Sequence, residues 1–277
     1  AAGGRLATPD PLVLLLPVVV CLVAVVHHPA NRYIAMSSFD VHTVHVLVVM
    51  GVLVAAGTLW TRRSTADLAL LSIVVLVPFA GVITVIRESH PGIDVWVFLQ
   101  QSSAGLLHGD DMYRQQWVGS NGLQDVYPYL PITTVLLAPF KWLLGDVRYG
   151  LITASVIAIW CVRRNAPTAP PALAALLLIA PHWIFLTDQS WTEPLLLAAL
   201  AAVFLGLKRH RPWLAVLGFA VALACKQHIA LLLPLFALWR PFGLRRTITA
   251  TVLAAFAVAP WFIAGPRDMW HDAVHAN

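Results

Sequence analysis

Three short polar clusters interrupt an otherwise apolar chain, and each carries side chains able to do chemistry. The first holds Arg87, Glu88, His90 and Asp94, directly after an apolar run over 67–86. The second is the turn Thr187-Asp188-Gln189-Ser190-Trp191-Thr192-Glu193, and the third is Lys226-Gln227-His228. A carboxylate held at a membrane–water boundary, as Asp94 would be, can take the proton from a sugar hydroxyl as it attacks. A lysine such as Lys226 can neutralise a departing phosphate as a point charge. Gln227 and His228 can add hydrogen bonds to sugar or phosphate, and Asp188, Gln189 and Glu193 can bind sugar hydroxyls. Each residue also has a plainer reading. Asp94 fits a helix cap, Lys226 a snorkelling interfacial lysine, and His228 an interfacial histidine. Glu193-Pro194 fits the opening of a helix, and for Glu193 that plainer reading is preferred. What suggests a site is that the three clusters face the same way, which follows from the elements that carry them.

Metal chemistry is not expected. Asp110-Asp111 follows Gly109 and reads as a turn. His271-Asp272-Ala273-Val274-His275 has Asp where a zinc helix has Glu, and no third ligand is evident. Asp40, His42 and His45 read as a polar helix start. The three cysteines, Cys21, Cys161 and Cys225, lie in or beside apolar segments and form no CxxC.

The elements are helices in a membrane. Of the 277 residues, 59% are hydrophobic and only 11% charged, and mean hydropathy is +0.78, far from a soluble composition. The net charge of +5 comes from Arg and Lys placed between apolar runs. No basic face interleaved with aromatics exists, so nucleic acid is excluded as a partner. The apolar runs fall at 11–27, 43–60, 67–86, 131–144, 149–162, 171–187, 193–207, 212–225, 228–239 and 247–264. Several are shorter than a simple span, which helices meeting inside a bundle tolerate. The first run is followed by His27-His28-Pro29 and not by a cleavage site, so it is expected to be a retained helix.

Orientation follows the positive charges. Arg62-Arg63, Arg163-Arg164, Lys208-Arg209-Arg211 and Arg240-Arg245-Arg246 mark cytoplasmic loops. The loop 87–130 then lies outside, with an amphipathic surface helix starting at Asp94. A single helix over 212–239 would leave a basic loop on the wrong side. Two short helices meeting at Lys226 satisfy the rule and keep that charge away from the bilayer centre. The turn at 187–193 faces outside by the same logic. Parity between the external loop and Arg163-Arg164 requires an odd number of crossings. Run 131–144, which contains Pro131 and Pro139, is therefore expected to dip into the outer leaflet without crossing.

The residues that carry a family resemblance now stand in order. They are Gly92-Ile93-Asp94, Leu106-Leu107-His108-Gly109-Asp110-Asp111-Met112-Tyr113, Tyr127-Pro128-Tyr129-Leu130-Pro131, and Leu136-Leu137-Ala138-Pro139-Phe140. Together they resemble the polyprenyl-phosphate-mannose-dependent mannosyltransferases of the GT-C class. That class includes actinobacterial enzymes that build phosphatidylinositol mannosides and lipoglycans of the cell envelope. Asp188-Gln189 resembles the family's polar-Gln turn, Ala224-Cys225-Lys226-Gln227 its lysine-bearing turn, and Pro266-Arg267-Asp268-Met269-Trp270 a later external segment. Met112 stands where the family usually has Pro, and Asp188 where a Gly usually precedes the Gln.

The resemblance implies an all-α, polytopic GT-C-type helix bundle in the plasma membrane, with its active site on the non-cytoplasmic side. Residues 1–66 would be an extension of two transmembrane helices, and 67–277 the catalytic module, with more helices expected beyond its C-terminal end. Asp94 would be the general base of an inverting transfer from a polyprenyl-phosphate sugar, most simply mannose, to a lipid-linked glycan or glycolipid. Lys226, Gln227, His228, Asp188 and Gln189 would hold the donor. His90, Tyr113, Tyr127 and Tyr129 would contact acceptor or sugar, although belt tyrosines fit the same positions. Neither cofactor nor metal is implied, and the partners would be membrane lipids. The rival reading is a transporter or flippase, which broken helices would suit. Against it, no inverted repeat is visible and the polar clusters sit at one face.

Overall fold

The computed structural model describes residues 63–120, 125–165, 187 and 189–275, together with Val46 and Val49. The runs expected at 11–27, 43–60 (apart from Val46 and Val49, both helical) and nearly all of 171–187 lie outside the described residues, as does Asp188. Among the described residues the chain is helical and contains no strand.

The helices are α1 (Arg63–Arg87), α2 (Asp94–Leu106), α3 (Pro131–Leu144), α4 (Arg148–Asn165), α5 (Glu193–Lys208), α6 (Pro212–Cys225), α7 (Leu233–Leu238), α8 (Gly243–Ala264) and α9 (Pro266–Trp270). A 3₁₀ segment, Gln227–Leu232, joins α6 to α7.

The α5–α6 hairpin is the centre of the packing. Pro212 opens α6 at a position that needs no N–H donor. The turn before it closes with the Arg211 N–H donating to the Gly206 carbonyl at 2.8 Å. The two helices approach backbone to backbone because two contacts carry no side chain. A Cβ on Gly218 would lie 2.6 Å from the Ala199 carbonyl oxygen, and one on Gly206 would lie 2.5 Å from the Ala215 nitrogen. Small residues at facing positions are how helices associate where water offers no hydrophobic drive. α4 covers the other side of α5 through Cys161, Ala201 and Leu205. α8 covers α6 through Ala250 and Ala254, and Phe219, Phe236 and Phe242 fill the space beneath α7.

The break expected at Lys226 is present. Its backbone is extended, with φ −143 and ψ 126. The continuation differs from a second short α-helix, because it starts as a 3₁₀ segment and becomes α-helical only at Leu233. Pro234 sits in the first turn of α7, where its missing N–H is harmless; any α-helical ladder begun earlier would have needed that donor.

α3 ends at Gly145, whose φ of +85 is the left-handed conformation a glycine C-cap supplies. The chain then bends by 117° into α4. The start of α3 is tied to the end of α6, where the Leu130 N–H and the Thr133 hydroxyl both donate to the Cys225 carbonyl, at 3.2 and 2.8 Å. Its end is tied to α2, where Gln100 donates to the Gly145 carbonyl at 2.7 Å. Both ends of α3 are thus held by the elements around the loop, while α4 leads away towards Arg163 and Arg164.

The charges separate along the helices. Lys208 at the end of α5 donates to the Asn165 carbonyl at the end of α4, and Arg246 at the start of α8 donates to the Pro241 and Phe242 carbonyls. Glu193 opens α5, whose 16 residues place it about 24 Å from that basic end. Between the ends, α8 shows an exposed apolar face of Leu244, Ile248, Val252 and Phe256, spaced by one helical turn. α8 is the one helix among the described residues long and apolar enough to cross a membrane, and the bent α3–α4 pair would be a second if it counts as one span. α5 and α6 are shorter than a simple span.

Replacing Gly218 with Val forces α5 and α6 apart at the Ala199 carbonyl. We expect a loss of about 1–3 kcal/mol, the usual cost of overpacking, read as a lower thermal midpoint in detergent. An unchanged midpoint would contradict the backbone contact described above.

Candidate active site

Asp94 is the first residue of α2, not its cap. Ile93 holds the capping position with extended backbone. One Asp94 oxygen accepts the Val95 N–H at 2.8 Å, and the other makes no hydrogen bond among the described residues. The surface of α2 expected to meet membrane is largely used by protein: Val97, Phe98 and Leu99 are buried in the cluster containing Met112, Tyr113, Trp117 and Leu137.

A buried ion pair fixes the end of α2 that carries Asp94. Arg148, fully buried at the start of α4, pairs with Asp146 through Nε at 3.0 Å and a terminal nitrogen at 2.8 Å. The same terminal nitrogen donates to the carbonyls of Glu88 and Val85, at 2.5 and 3.4 Å. Trp96 donates its indole N–H to Asp146 at 3.2 Å, and the Arg148 guanidinium lies 5.9 Å from the Trp96 ring. The end of α1, the first turn of α2 and the start of α4 are therefore one unit. His90 belongs to its exposed rim, with its ring edge-on to Trp96 at 5.8 Å.

Two of the tyrosines expected at the sugar are interior residues. Tyr127 is fully buried, and its hydroxyl contacts that of Thr134. Tyr113 is buried, and its hydroxyl donates to the Tyr129 carbonyl at 2.8 Å. The two rings pack edge-on at 5.6 Å, so neither offers a free face to a ligand. Burial pushes both phenols far above their ordinary value, so both stay protonated. Tyr129 is different. It is half-buried, and the Lys226 ammonium lies 5.7 Å from its ring centroid. Its phenol is raised first by burial, then by Tyr127, then by the negative charges of Glu193 and Asp94. Tyr129 thus feels all three ionic groups: Asp94 from α2, Glu193 from α5 and Lys226 from the α6 break.

Lys226 has a partner that the sequence reading set aside. Its ammonium donates to Glu193 at 2.6 Å. The readable signal was isolation: Glu193 is the sole acidic residue between Gln189 and Arg267, and Lys226 the sole Lys or Arg between Arg211 and Arg240. They stand at matching ends of consecutive apolar helices. Gln227 donates to the Pro128 carbonyl at 3.1 Å, which ties this end to the tyrosine segment, whereas His228 is exposed.

Around this pair lies a concentration of unused polar atoms. The hydroxyls of Thr187, Ser190 and Thr192, the amide nitrogen of Gln189, one oxygen of Glu193 and the amide oxygen of Gln227 are buried without a hydrogen-bond partner. Those six are the majority of the ten such atoms among the described residues. Each ordinarily costs about 1–3 kcal/mol, so their clustering asks for a ligand rich in hydroxyls or phosphate oxygens. Ser190 also holds a left-handed φ of 60, a conformation a serine adopts at a cost and one that collects at functional turns. Thr187, Ser190 and Thr192 were not singled out from sequence.

Other features are structural. Asp111 accepts the Tyr113 N–H at 3.1 Å, and Gly109 has a φ of 81, which makes the Asp110-Asp111 stretch a turn. Arg114 binds Asp268 at 2.8 Å and joins the loop to α9. His271 pairs with Asp272 at 3.0 Å. No three potential metal ligands gather among the described residues. Two open hollows, of about 440 Å³ beside Trp270 and His271 and about 610 Å³ beside Lys208 and Trp239, are largely apolar and include none of Asp94, Glu193 or Lys226.

The sequence profile of glycosyltransferase family 87 matches residues 127–277, more than half of the chain. The matched part contains Tyr129, Gln189, Glu193 and Lys226, while His90, Asp94 and Tyr113 precede it. No curated protein and no solved structure matches.

Asp272 supports a pH prediction for this end of the molecule. It is buried and accepts the Tyr127 N–H at 2.9 Å. Burial raises its carboxyl above the ordinary 3.8, against the opposing bonds to His271 and Tyr127. The folded state therefore holds this proton more tightly than the unfolded state. That stabilisation is complete below 3.8 and is lost as pH rises through the folded value. Asp272→Asn keeps the acceptor and removes the titration. In thermal unfolding it should gain on wild type as pH rises from acid to neutral; a difference independent of pH would contradict this account.

Proposed function

We propose that this chain, which belongs to glycosyltransferase family 87 and is a glycosyltransferase, transfers a sugar from a polyprenyl-phosphate donor to a lipid-linked glycan or glycolipid. The observation that carries the reading is the gathering of one carboxylate, one Lys–Glu pair and six unpartnered buried polar atoms at a single end of the bundle. That end lies opposite the arginine-rich loops. By the positive-inside rule those loops are cytoplasmic, so the site faces the other side of the membrane. The fold is then a GT-C-type multi-pass bundle in which α8 crosses and α3 lies across the outer leaflet.

In this reading the acceptor hydroxyl oxygen attacks the anomeric carbon as the bond from that carbon to the phosphate oxygen breaks. Asp94 takes the hydroxyl proton. Configuration inverts in the single displacement, and polyprenyl phosphate departs with the bond's electron pair. Lys226 stabilises the charge that grows on the phosphate. Gln189 with the hydroxyls of Thr187, Ser190 and Thr192 hold the sugar; Asp188 adjoins them in sequence. Mannose is the sugar that the resemblance to polyprenyl-phosphate-mannose enzymes favours, and the absence of a nucleotide diphosphate removes the need for a metal. The transporter reading has no support from the family match.

Asp94→Asn should lower transfer from radiolabelled polyprenyl-phosphate-mannose to membrane lipids by about 10²–10⁴-fold, the range for a positioned base, at equal expression and with donor binding kept. Equal transfer by both proteins would remove Asp94 from the mechanism. Transfer by neither, with a different polyprenyl-phosphate sugar accepted, would correct the sugar.

A further inference from the structure

We propose that Glu193 is an internal counter-ion: it occupies Lys226 while the site is empty of donor and is displaced from it by the donor phosphate. The proposal rests on the reading of Lys226 as the phosphate-binding residue and adds a competition built into the chain.

The geometry makes Lys226 the fixed partner and Glu193 the movable one. The Lys226 side chain is 16% exposed and that of Glu193 is 44% exposed. Lys226 is held where α6 breaks, between the Tyr129 ring and the Gln227 bond to Pro128. Glu193 sits in the first turn of α5, where the positive end of the helix dipole also favours a carboxylate. Its bond to Lys226 is short and charge-assisted, the same bond a phosphate oxygen would make.

An arriving phosphate competes with Glu193 for one cation. The Lys226 ammonium, which lies over the Tyr129 ring, already holds the Glu193 carboxylate at 2.6 Å. A phosphodiester brings another negative charge. With Glu193 still on the ammonium, the phosphate would meet a carboxylate at contact distance and a cation already neutralised. With Glu193 swung to the helix start, the phosphate takes its place on Lys226. The second Glu193 oxygen, buried here without a hydrogen bond, loses nothing by leaving. Filled in this way, an idle site resists other anions and opens to a ligand whose lipid chain adds binding of its own.

The test is the affinity of polyprenyl monophosphate for the protein in nanodiscs of zwitterionic lipid, measured for wild type, Glu193→Gln, Lys226→Met and the double variant. Glu193→Gln keeps the shape and an acceptor for Lys226 but removes the competing charge. It should bind about tenfold tighter, within the usual range of site coupling. Glu193→Ala, a second neutral variant, should gain likewise. Lys226→Met should bind more weakly, and the gain should vanish in the double variant. If Lys226→Met weakens binding while both neutral Glu193 variants bind no tighter than wild type, the counter-ion is overturned and the phosphate site stands. Unchanged binding by Lys226→Met would overturn both.

Discussion

The close approach of α5 and α6 sets the position of nearly everything else in the site. Gly206 against Ala215 and Gly218 against Ala199 let the backbones meet without intervening side chains. In a lipid environment such contact is gained through packing and not through exclusion of water. Antiparallel helices held this closely bring the start of one beside the end of the other. Glu193 and Lys226 therefore come within hydrogen-bond distance. The basic residues Lys208, Arg209 and Arg211 collect at the other end of the same hairpin. The carboxylate of Asp94 reaches this place by a separate route, through the Arg148–Asp146 pair that clamps α1, α2 and α4. A buried pair of this kind adds little net stability, because desolvation offsets much of the attraction. Its contribution is directional: Arg148 bonds the carbonyls of Val85 and Glu88 and so holds the end of α1.

The tyrosine segment links the two routes. Tyr127 is locked by Thr134 and Asp272, Tyr113 holds the Tyr129 carbonyl, and Gln227 holds the Pro128 carbonyl. Tyr129 is left as the half-buried aromatic surface beside the Lys226 ammonium. A half-buried ring beside charged groups suits a ligand with both apolar ring faces and hydroxyls, which describes a sugar.

Much of this was legible in the sequence wherever a rule about charge or backbone applied. Lys226 inside an apolar stretch demanded a break, and there is one. Pro131, Pro139 and the parity of basic loops marked α3 as an element unlike its neighbours, and the chain bends by 117° where it ends. Asp94 opening a helix followed from the polarity around it. What was not legible depended on which side chains touch. A tyrosine fits a sugar platform, a membrane belt and a packed core equally well, so the burial of Tyr113 and Tyr127 could not be read from their positions. Glu193 beside Pro194 has the form of an ordinary helix start, and its tie to Lys226 appears only once α5 and α6 are laid side by side. Arg148 carried no signal, since an arginine near a helix end reads as exposed.

The central claim is that the polyprenyl phosphate binds at the Glu193–Lys226 end. The direct measurement is photocrosslinking of wild-type protein in nanodiscs with a polyprenyl-phosphate probe carrying a diazirine next to the phosphate, followed by peptide mapping. The account predicts adducts in the segments containing Gln189 to Glu193 and Lys226 to His228, lost when unlabelled polyprenyl phosphate is added in excess. Competed labelling at Arg163, Arg164 and Lys208 to Arg211 would place the phosphate at the opposite end and contradict it.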